Sequence, residues 1–208
     1  MRSFVFIGNM NNNFNVLLSY ARTIDIEARL LYFSDTPQHF LPSSDSFSMF
    51  IDFTFNLGYS EMECFENPTH LTRHIDRNDI LIGCGLVPAI LQKVDLKLDL
   101  FIPYGSDIYQ VPFKVSKNPF KLKKSLNLMK FQKEGIRGSM EIWIGESSPF
   151  WKSVCMRLGV EYSLIRYPML FVDYNSLAMI QPNTNIRILH PIRHYWKTTS
   201  DKVAKKGN

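Results

Sequence analysis

The feature that most constrains this chain is a repeated alternation of short apolar runs with longer, helix-like segments. The first unit shows the pattern. Residues 3–7 are apolar with β-branched and aromatic side chains, a Gly- and Asn-rich loop follows, and residues 14–21 carry an apolar face at helical spacing. Buried strands that alternate with helices are typical of a parallel sheet covered on both faces. The sequence therefore predicts an α/β fold, a Rossmann-like parallel sheet flanked by helices.

The alternation continues to residue 166. Further strands are predicted at residues 27–33, 61–65, 79–83, 99–103, 141–145 and 163–166. Further helices are predicted at residues 67–75, 86–94, 119–134 and 149–158, and a glycine at 159 is expected to end the last of them. The Phe-rich segment 47–57 has two interpretations, a surface-docking segment or an irregular strand.

The pattern changes in the last part of the chain. A polar linker leads into a single new strand at residues 186–190, and a basic, polar tail follows. A strand without a helix after it cannot cover its own faces. The sequence therefore predicts a Rossmann-like domain over residues 1–175, followed at residues 176–208 by a linker and the first strand of a second, truncated domain.

Composition and charge narrow the class of protein. The chain has 208 residues, 45% of them hydrophobic and 21% charged, which suits a soluble globular protein. No apolar run approaches the roughly 18 residues that span a bilayer, and the first apolar run is too short for a secretory signal. The three cysteines, Cys64, Cys84 and Cys155, are odd in number and widely spaced, as buried thiols of a reducing compartment would be. The expected location is the cytoplasm.

The positive charge is concentrated in one segment. Residues 114–137 contain eight basic residues and one acid, a balance of +7 in a chain whose net charge is +5. Four lysines of this segment lie among Phe and Leu residues, a composition that suits binding to an anionic membrane surface. They are Lys117, Lys121, Lys123 and Lys124. The alternative is a solvated helix face with an ordinary buried side. No recognised nucleic-acid motif accompanies the segment, so nucleic acid is not an expected partner.

Four segments, taken in order, resemble the glycosyltransferases of the GT-B fold, in particular the family-4-like enzymes of cell-surface polysaccharide synthesis. The first is the starting strand with its Gly8-Asn9 loop. The second is the strand end at residues 99–108, which contains Gly-Ser-Asp. Residues 167–173 are similar to the crossing between the two domains of that family, and residues 186–193 with Lys206-Gly207 are similar to the first strand and loop of its donor domain.

The resemblance implies a function and a set of site residues. The parent reaction transfers a sugar from a nucleotide-diphosphate sugar to a glycan or lipid-linked acceptor, with no metal or other cofactor required. The residues implied are Asp107 as catalytic residue, Gly8, Asn9, Arg193 and Lys206 at the donor diphosphate, and Tyr104, Gly105, Ser106 and His190 at the acceptor or in the cleft. The family's later motif with two glutamates is not within these 208 residues, so this chain alone is expected to transfer sugar poorly. A lipid-linked acceptor would place the protein peripherally on the inner face of the plasma membrane.

Each of these residues also has a structural interpretation. Gly8 and Asn9 suit an ordinary turn, and Asp107 suits a local cap of the segment that follows it. His70 and His74 are four residues apart on a predicted helix, but a third ligand is not evident and no metal site is predicted. For the whole chain, the alternative function is a non-catalytic α/β module that docks through the basic segment on a membrane or an acidic partner.

Overall fold

A computed structural model describes residues 2–44, 49–145 and 148–166 of the chain. Within them lies a seven-stranded parallel sheet with helices on both faces, which confirms the predicted Rossmann-like α/β class. The strands are β1 (Phe4–Ile7), β2 (Ala28–Tyr32), β3 (Thr54–Asn56), β4 (Ile80–Gly83), β5 (Leu100–Phe101), β6 (Glu141–Ile144) and β7 (Ser163–Leu164). The helices are α1 (Asn13–Thr23), α2 (Glu61–Glu66), α3 (Thr69–Thr72), α4 (Val87–Gln92), α5 (Ser106–Tyr109), α6 (Pro119–Gly138) and α7 (Pro149–Leu158). Short 3-10 turns lie at Met10–Asn12, Gln38–Phe40, Pro42–Ser44 and Ile51–Phe53.

The strand order is β3-β2-β1-β4-β5-β6-β7, and every described neighbouring pair is parallel. The chain moves outward from β1 to β3, returns past β1 to β4, and then continues in the opposite direction to β7. Because crossovers between parallel strands are right-handed, this reversal places the connecting helices on opposite faces. The boundary between β1 and β4 is therefore the topological switch point, where open α/β sheets bind ligands at the carboxyl ends of their strands.

The core consists of two apolar layers, one on each face of the sheet. Successive strand residues alternate between them, so that Val5 and Ile7 belong to one layer and Phe6 belongs to the other. The layer around Phe6 packs against α1 through Phe14 and Leu18. The opposite layer includes buried residues of each helix from α2 to α7. Burial on both faces explains why the strands appear in the sequence as nearly continuous apolar runs.

Local sequence signals set the ends of the longer helices. Ser148 caps α7 by accepting a hydrogen bond from the Trp151 N–H, and Gly159 ends the helix in the left-handed conformation, as predicted. Helix α6 begins behind an Asn118 cap and extends to residue 138, one turn beyond the prediction. Gly135 of α6 lies against the backbone of Pro88, where a side chain would overlap it. This glycine therefore allows α4 and α6 to pack closely.

Three predicted segments differ from the structure. The predicted strand at residues 61–65 is wrong, because this segment forms helix α2. Ser60 and Glu63 form a capping box in which each side chain accepts a hydrogen bond from the other residue's backbone N–H. The predicted helix at residues 67–75 is reduced to the single turn of α3. In the Phe-rich segment, the irregular-strand interpretation is confirmed over residues 54–56, which form the edge strand β3.

Several predictions fall outside the described residues. They are the domain boundary at 175/176, the strand at residues 186–190, and the site residues His190, Arg193 and Lys206. None of the described helices has both the length and the apolar composition needed to cross a membrane.

Candidate functional site

A cavity of about 230 Å³ opens at the carboxyl ends of β1, β2 and β4, at the topological switch point. The residues that line it are Gly8, Asn9, Met10, Phe33, Asp35, Thr36, Pro37, Glu61, Cys84 and Tyr104. Three of the predicted site residues, Gly8, Asn9 and Tyr104, are therefore brought together. Ligands of open α/β folds bind at this position in the sheet, which makes the cavity the candidate site.

Gly8 brings the end of β1 close to the loop after β4. Its φ is +87°, and a Cβ at this position would lie 2.7 Å from the Cys84 Sγ. The Gly8 N–H donates to the carbonyl of Leu31 at 2.8 Å. Both the backbone conformation and the close approach therefore require glycine here, and the Gly8 N–H is already used within the sheet.

Asn9 shapes the cavity from inside the loop. Its side chain is 4% exposed, and its Nδ2 donates to the Asn12 Oδ1 at 2.8 Å and to the Phe40 carbonyl at 2.6 Å. Its Oδ1 accepts from the Asn15 N–H at 3.2 Å. Asn9 thus connects the first turn of α1 to the Gln38–Phe40 turn, which follows the cavity wall formed by residues 35–37. Its amide holds the loop in place.

Glu61, in the first turn of α2, lines the cavity and was missed by the sequence analysis. Its Oε1 accepts from the Leu86 N–H at 2.6 Å, and its own N–H donates to the Asp35 Oδ1 at 3.1 Å. The pKa of Glu61 is raised to about 8. Burial is the largest cause, the hydrogen bond from the Leu86 N–H opposes it, and the carboxylates of Asp107 and Asp35 add to the rise. The carboxyl group is therefore largely protonated at neutral pH. The Ser60–Glu63 capping box was the signal that would have placed Glu61 at a helix start.

The loop after β4 is fitted to the Glu61 carboxyl group. Gly85 has a φ of +65°, and a Cβ on it would overlap the Glu61 Oε1. The next residue supplies the N–H that the carboxyl group accepts. Gly85 therefore makes room for the acid at position 61, and any larger residue would displace it.

Asp107 lies behind the cavity wall and is completely buried. Its Oδ2 accepts from the N–H groups of Gly85 at 3.0 Å and Tyr104 at 3.2 Å, and its Oδ1 accepts from Gly105 at 2.8 Å. Burial raises the pKa of Asp107 to about 6, while these hydrogen bonds lower it. The contacts are those of a cap that joins the β4 and β5 loops. This geometry favours the structural interpretation of Asp107 as a local cap. Asp107 is not among the residues that line the cavity, and its catalytic role stays a prediction.

Gln132 of α6 completes this buried network and had no signal in the sequence. It is completely buried, and its Nε2 donates to the carbonyls of Gly85 at 2.8 Å and Asp107 at 2.9 Å. Its Oε1 accepts from the Ala89 N–H at 3.2 Å. One side chain thus fixes the loops after β4 and β5 and the start of α4.

The predicted residues Tyr104, Gly105 and Ser106 lie together after β5. Gly105, with a φ of +145°, precedes α5, and Ser106 is the first residue of that helix. Tyr104 alone of the three lines the cavity. Burial raises the pKa of its phenol, and a hydrogen bond with Ser106 lowers it. The phenol therefore stays protonated and can act as a hydrogen-bond donor.

The chemistry of the cavity wall is acidic and hydroxylic. Its charged or titratable side chains are Asp35, Glu61, Cys84 and Tyr104, and no lysine or arginine is among the lining residues. A diphosphate would need donors or cations here, whereas hydroxyl groups can both donate and accept. The wall therefore favours a hydroxyl-rich, uncharged ligand. The predicted diphosphate contacts of Gly8 and Asn9 gain no support from this lining.

The remaining predicted residues lie apart from the cavity. Lys117, Lys121, Lys123 and Lys124 are exposed on α6 or just before it, and Lys124 forms an ion pair with Glu66 of α2.

The two histidines do not share a helix face, because α3 ends at Thr72. His70 stacks on Tyr59 with ring centroids 3.6 Å apart, and the His74 Nε2 accepts from the Arg73 Nε at 3.0 Å. In the described part of the chain, no three potential ligands cluster as a metal site.

Comparison with known proteins adds little to this geometry. No family model matches the chain, and no curated protein matches it. Among solved structures, the chain is similar to a short-chain dehydrogenase/reductase from Veillonella parvula, with 9% sequence identity and a TM-score of 0.33. The similarity covers 69% of this chain and 68% of that chain. A likeness at this level carries no argument about activity, so the fold assignment stands on the observed strand order.

Proposed function

We propose that this chain is the acceptor-side domain of a GT-B-like glycosyltransferase, and that its cavity holds a sugar of the glycan or lipid-linked acceptor. The observation that carries the proposal is the acidic, hydroxylic cavity at the topological switch point. Neutral hydroxyl groups of a saccharide match a wall that offers a protonated carboxyl, a phenol and a carboxylate as donors and acceptors. The parent reaction would transfer a sugar from a nucleotide-diphosphate sugar to one of these hydroxyls.

Glu61 is the residue we assign to the acceptor hydroxyl. A general base works best when its pKa lies near the operating pH, and the pKa of Glu61 is raised to about 8. In its protonated form the Glu61 carboxyl group would donate to a bound saccharide. In its ionised form, which becomes more populated as the pH approaches 8, it would accept the proton that the acceptor hydroxyl loses as its oxygen bonds to the transferred sugar. Asp107 would act indirectly, because it holds the backbone of Tyr104 and of the Gly85 loop.

The donor side of the proposal comes from the sequence resemblance alone. Arg193 and Lys206 lie outside the described residues. Arg193 would bind the diphosphate through two parallel hydrogen bonds, and Lys206 would bind it through its single positive charge. Cations placed there would stabilise the charge that develops on the leaving nucleoside diphosphate.

The test is saturation-transfer NMR on the full 208-residue chain. The probes are neutral oligosaccharides, a lipid-linked saccharide, and the nucleoside diphosphates UDP and GDP. We expect saturation transfer to a saccharide, reduced about tenfold in affinity by Tyr104→Phe combined with Glu61→Gln, because two wall contacts are changed. The matched control is Glu66→Gln, which changes an exposed glutamate of the same helix and should bind as the wild type does.

Two outcomes would overturn the assignment. One is the absence of saturation transfer to every saccharide, together with nucleotide binding that Tyr104→Phe weakens. The other is saccharide binding that neither cavity substitution changes, since the ligand would then lie elsewhere. The purified chain is expected to show little or no transfer by itself, and ready turnover of a nucleotide sugar would contradict that expectation.

A further inference from the structure

We propose that the first half of α6, residues 119–127, is a docking element for an anionic phospholipid surface. This half of the helix extends beyond the body of the domain and combines exposed apolar side chains with lysines. The proposal does not depend on the proposed function, because it uses none of the cavity residues.

The geometry of α6 carries its first half past the start of α4. Contacts of this half with the rest of the described chain include the Lys124–Glu66 ion pair and the bond from the Ser116 N–H to the Ser125 Oγ. Gly135 lies against Pro88 at the start of α4, and Gly138 lies near Gln92 at its end, so the two helices run side by side in the same direction. Gln132 already reaches the level of the loop after β4 through its bond to the Gly85 carbonyl. The turns of α6 before Gln132 therefore extend past the start of α4, at the edge of the sheet where the cavity opens.

The exposed side chains of this half are unusually apolar. Phe120 is 95% exposed, the largest value among the exposed large apolar side chains of the described residues, and Leu122 and Leu126 are each 42% exposed. Leu122 and Leu126 are four residues apart and form one stripe, which at about 100° per residue lies on the side of the helix opposite Phe120. Phe120 is therefore the side chain assigned to the bilayer. An aromatic ring that is almost fully exposed gains nothing from the fold, whereas insertion between lipid head groups would remove it from water.

The charge of the same segment identifies the chemistry of the surface. Residues 114–133 contain seven lysines and no aspartate or glutamate. Lys123 and Lys124 follow Phe120 at spacings of three and four, which places them on the same side of the helix as the ring. Lys124 also pairs with Glu66, so Lys117, Lys121 and Lys123 are the lysines best placed for an external partner. Lysines beside an insertable aromatic match anionic head groups above an apolar interior.

The docking surface and the cavity would face the same side. Helix α6 projects at the carboxyl edge of the sheet, and the cavity opens at that edge. A domain bound through residues 119–127 would therefore hold the cavity close to the plane of the head groups. This placement suits an acceptor that is anchored in the bilayer.

The experiment is vesicle flotation of the full 208-residue chain. Vesicles of phosphatidylcholine alone are compared with vesicles of phosphatidylcholine mixed with phosphatidylglycerol. We expect flotation with the anionic vesicles only, and a loss of affinity of about 30-fold in Lys121→Gln/Lys123→Gln, from about 1 kcal/mol per lysine. Phe120→Ser should lose about tenfold, because the ring no longer inserts.

Matched controls separate this surface from general effects of charge and apolarity. Lys97→Gln/Lys152→Gln removes two exposed lysines elsewhere, and Met140→Ser removes an apolar side chain that is 77% exposed at the other end of α6. Both controls should float as the wild type does.

The proposal is overturned if the controls lose as much affinity as the α6 variants, or if the wild type floats with neither vesicle. Binding to single-stranded RNA but not to vesicles, lost in the α6 variants, would also overturn it and assign the surface to nucleic acid.

Discussion

The raised pKa of Glu61 leads to a prediction about stability. In the folded chain this carboxyl group keeps its proton up to about pH 8, whereas in the unfolded chain it loses the proton near pH 4.5. Between these values the folded state binds more protons than the unfolded state, so the free energy of unfolding must fall as the pH rises. Replacing Glu61 by glutamine removes this titration and keeps an oxygen for the Leu86 N–H.

The size of the effect follows from the two pKa values. Each pKa unit corresponds to about 1.4 kcal/mol, so a shift from 4.5 to about 8 corresponds to about 5 kcal/mol at most. Glu61 borders a cavity that is open to solvent, and screening there reduces the effect. We therefore expect Glu61→Gln to match the wild type below pH 4.5 and to be more stable by about 3 kcal/mol above pH 8.

The assay is urea denaturation across this pH range, followed by tryptophan fluorescence, with the wild type and Glu61→Gln measured in parallel. Asp107 also titrates with a raised pKa, but it is present in both proteins, so the difference between them reports on Glu61. Glu66→Gln, an exposed glutamate of the same helix, controls for the loss of one surface charge. The carbon chemical shift of the Glu61 carboxyl group gives the pKa directly.

A constant difference across the range would refute the reasoning, because it would mean that Glu61 titrates alike in the folded and unfolded states. A difference that grows in favour of the wild type at high pH would also refute it. That result would show that the folded chain prefers the ionised carboxylate.

Two further predictions test how the site is built. Gly85→Ala should destabilise the domain by about 2 kcal/mol, because the new Cβ displaces the end of the Glu61 side chain from the Leu86 N–H and also strains a positive φ. Gly58→Ala, which has a positive φ but open space around it, should destabilise the domain by only about 1 kcal/mol in the same urea titration. Equal losses in the two variants would show that the fit to Glu61 has no energetic weight. Gln132→Leu should lower the free energy of unfolding by roughly 3 kcal/mol, because two buried carbonyls and one buried N–H lose their hydrogen-bond partner. The control Gln110→Leu, at an exposed position, should leave the free energy of unfolding nearly unchanged. A loss below about 1 kcal/mol for Gln132→Leu would mean that the network relaxes or takes up water.

The strands were predictable because their physics is local. Residues 3–7, 79–83 and 141–145 are apolar runs bounded by turn residues, and the structure contains a strand in each. Segment 61–65 was assigned wrongly because five residues are too few to separate a strand period from a helical one. The Ser60–Glu63 capping box decides that segment, because it is a helix-start signal.

The site was predictable only where it follows a strand directly. Gly8 and Asn9 were identified because they follow the first strand, and the ends of parallel strands meet at one edge of a sheet. Tyr104 was implied by the resemblance to GT-B glycosyltransferases, and it lies at the same edge. Glu61 and Gln132 come from helices that the fold brings to that edge from elsewhere in the chain, and no spacing in the sequence connects them to the loop after β4. Asp107 was identified as a residue of the site region, but its burial and its three backbone donors are tertiary facts.

Asp107 and Glu61 differ in whether a structural role accounts for an acidic residue at their position. The Asp107 carboxylate accepts three backbone hydrogen bonds and joins two loops, so a structural role accounts for an acid at that position. Glu61 accepts one backbone bond, which a glutamine would accept equally well, and its charge is opposed by burial and by two neighbouring carboxylates. A glutamate at position 61 therefore lowers the free energy of unfolding at pH values above its unfolded pKa. In exchange it makes no contact in the described structure that a glutamine could not also make. Because perturbed groups of this kind concentrate at functional sites, the cavity-facing Glu61 supports the proposal that this cavity is the site of the reaction.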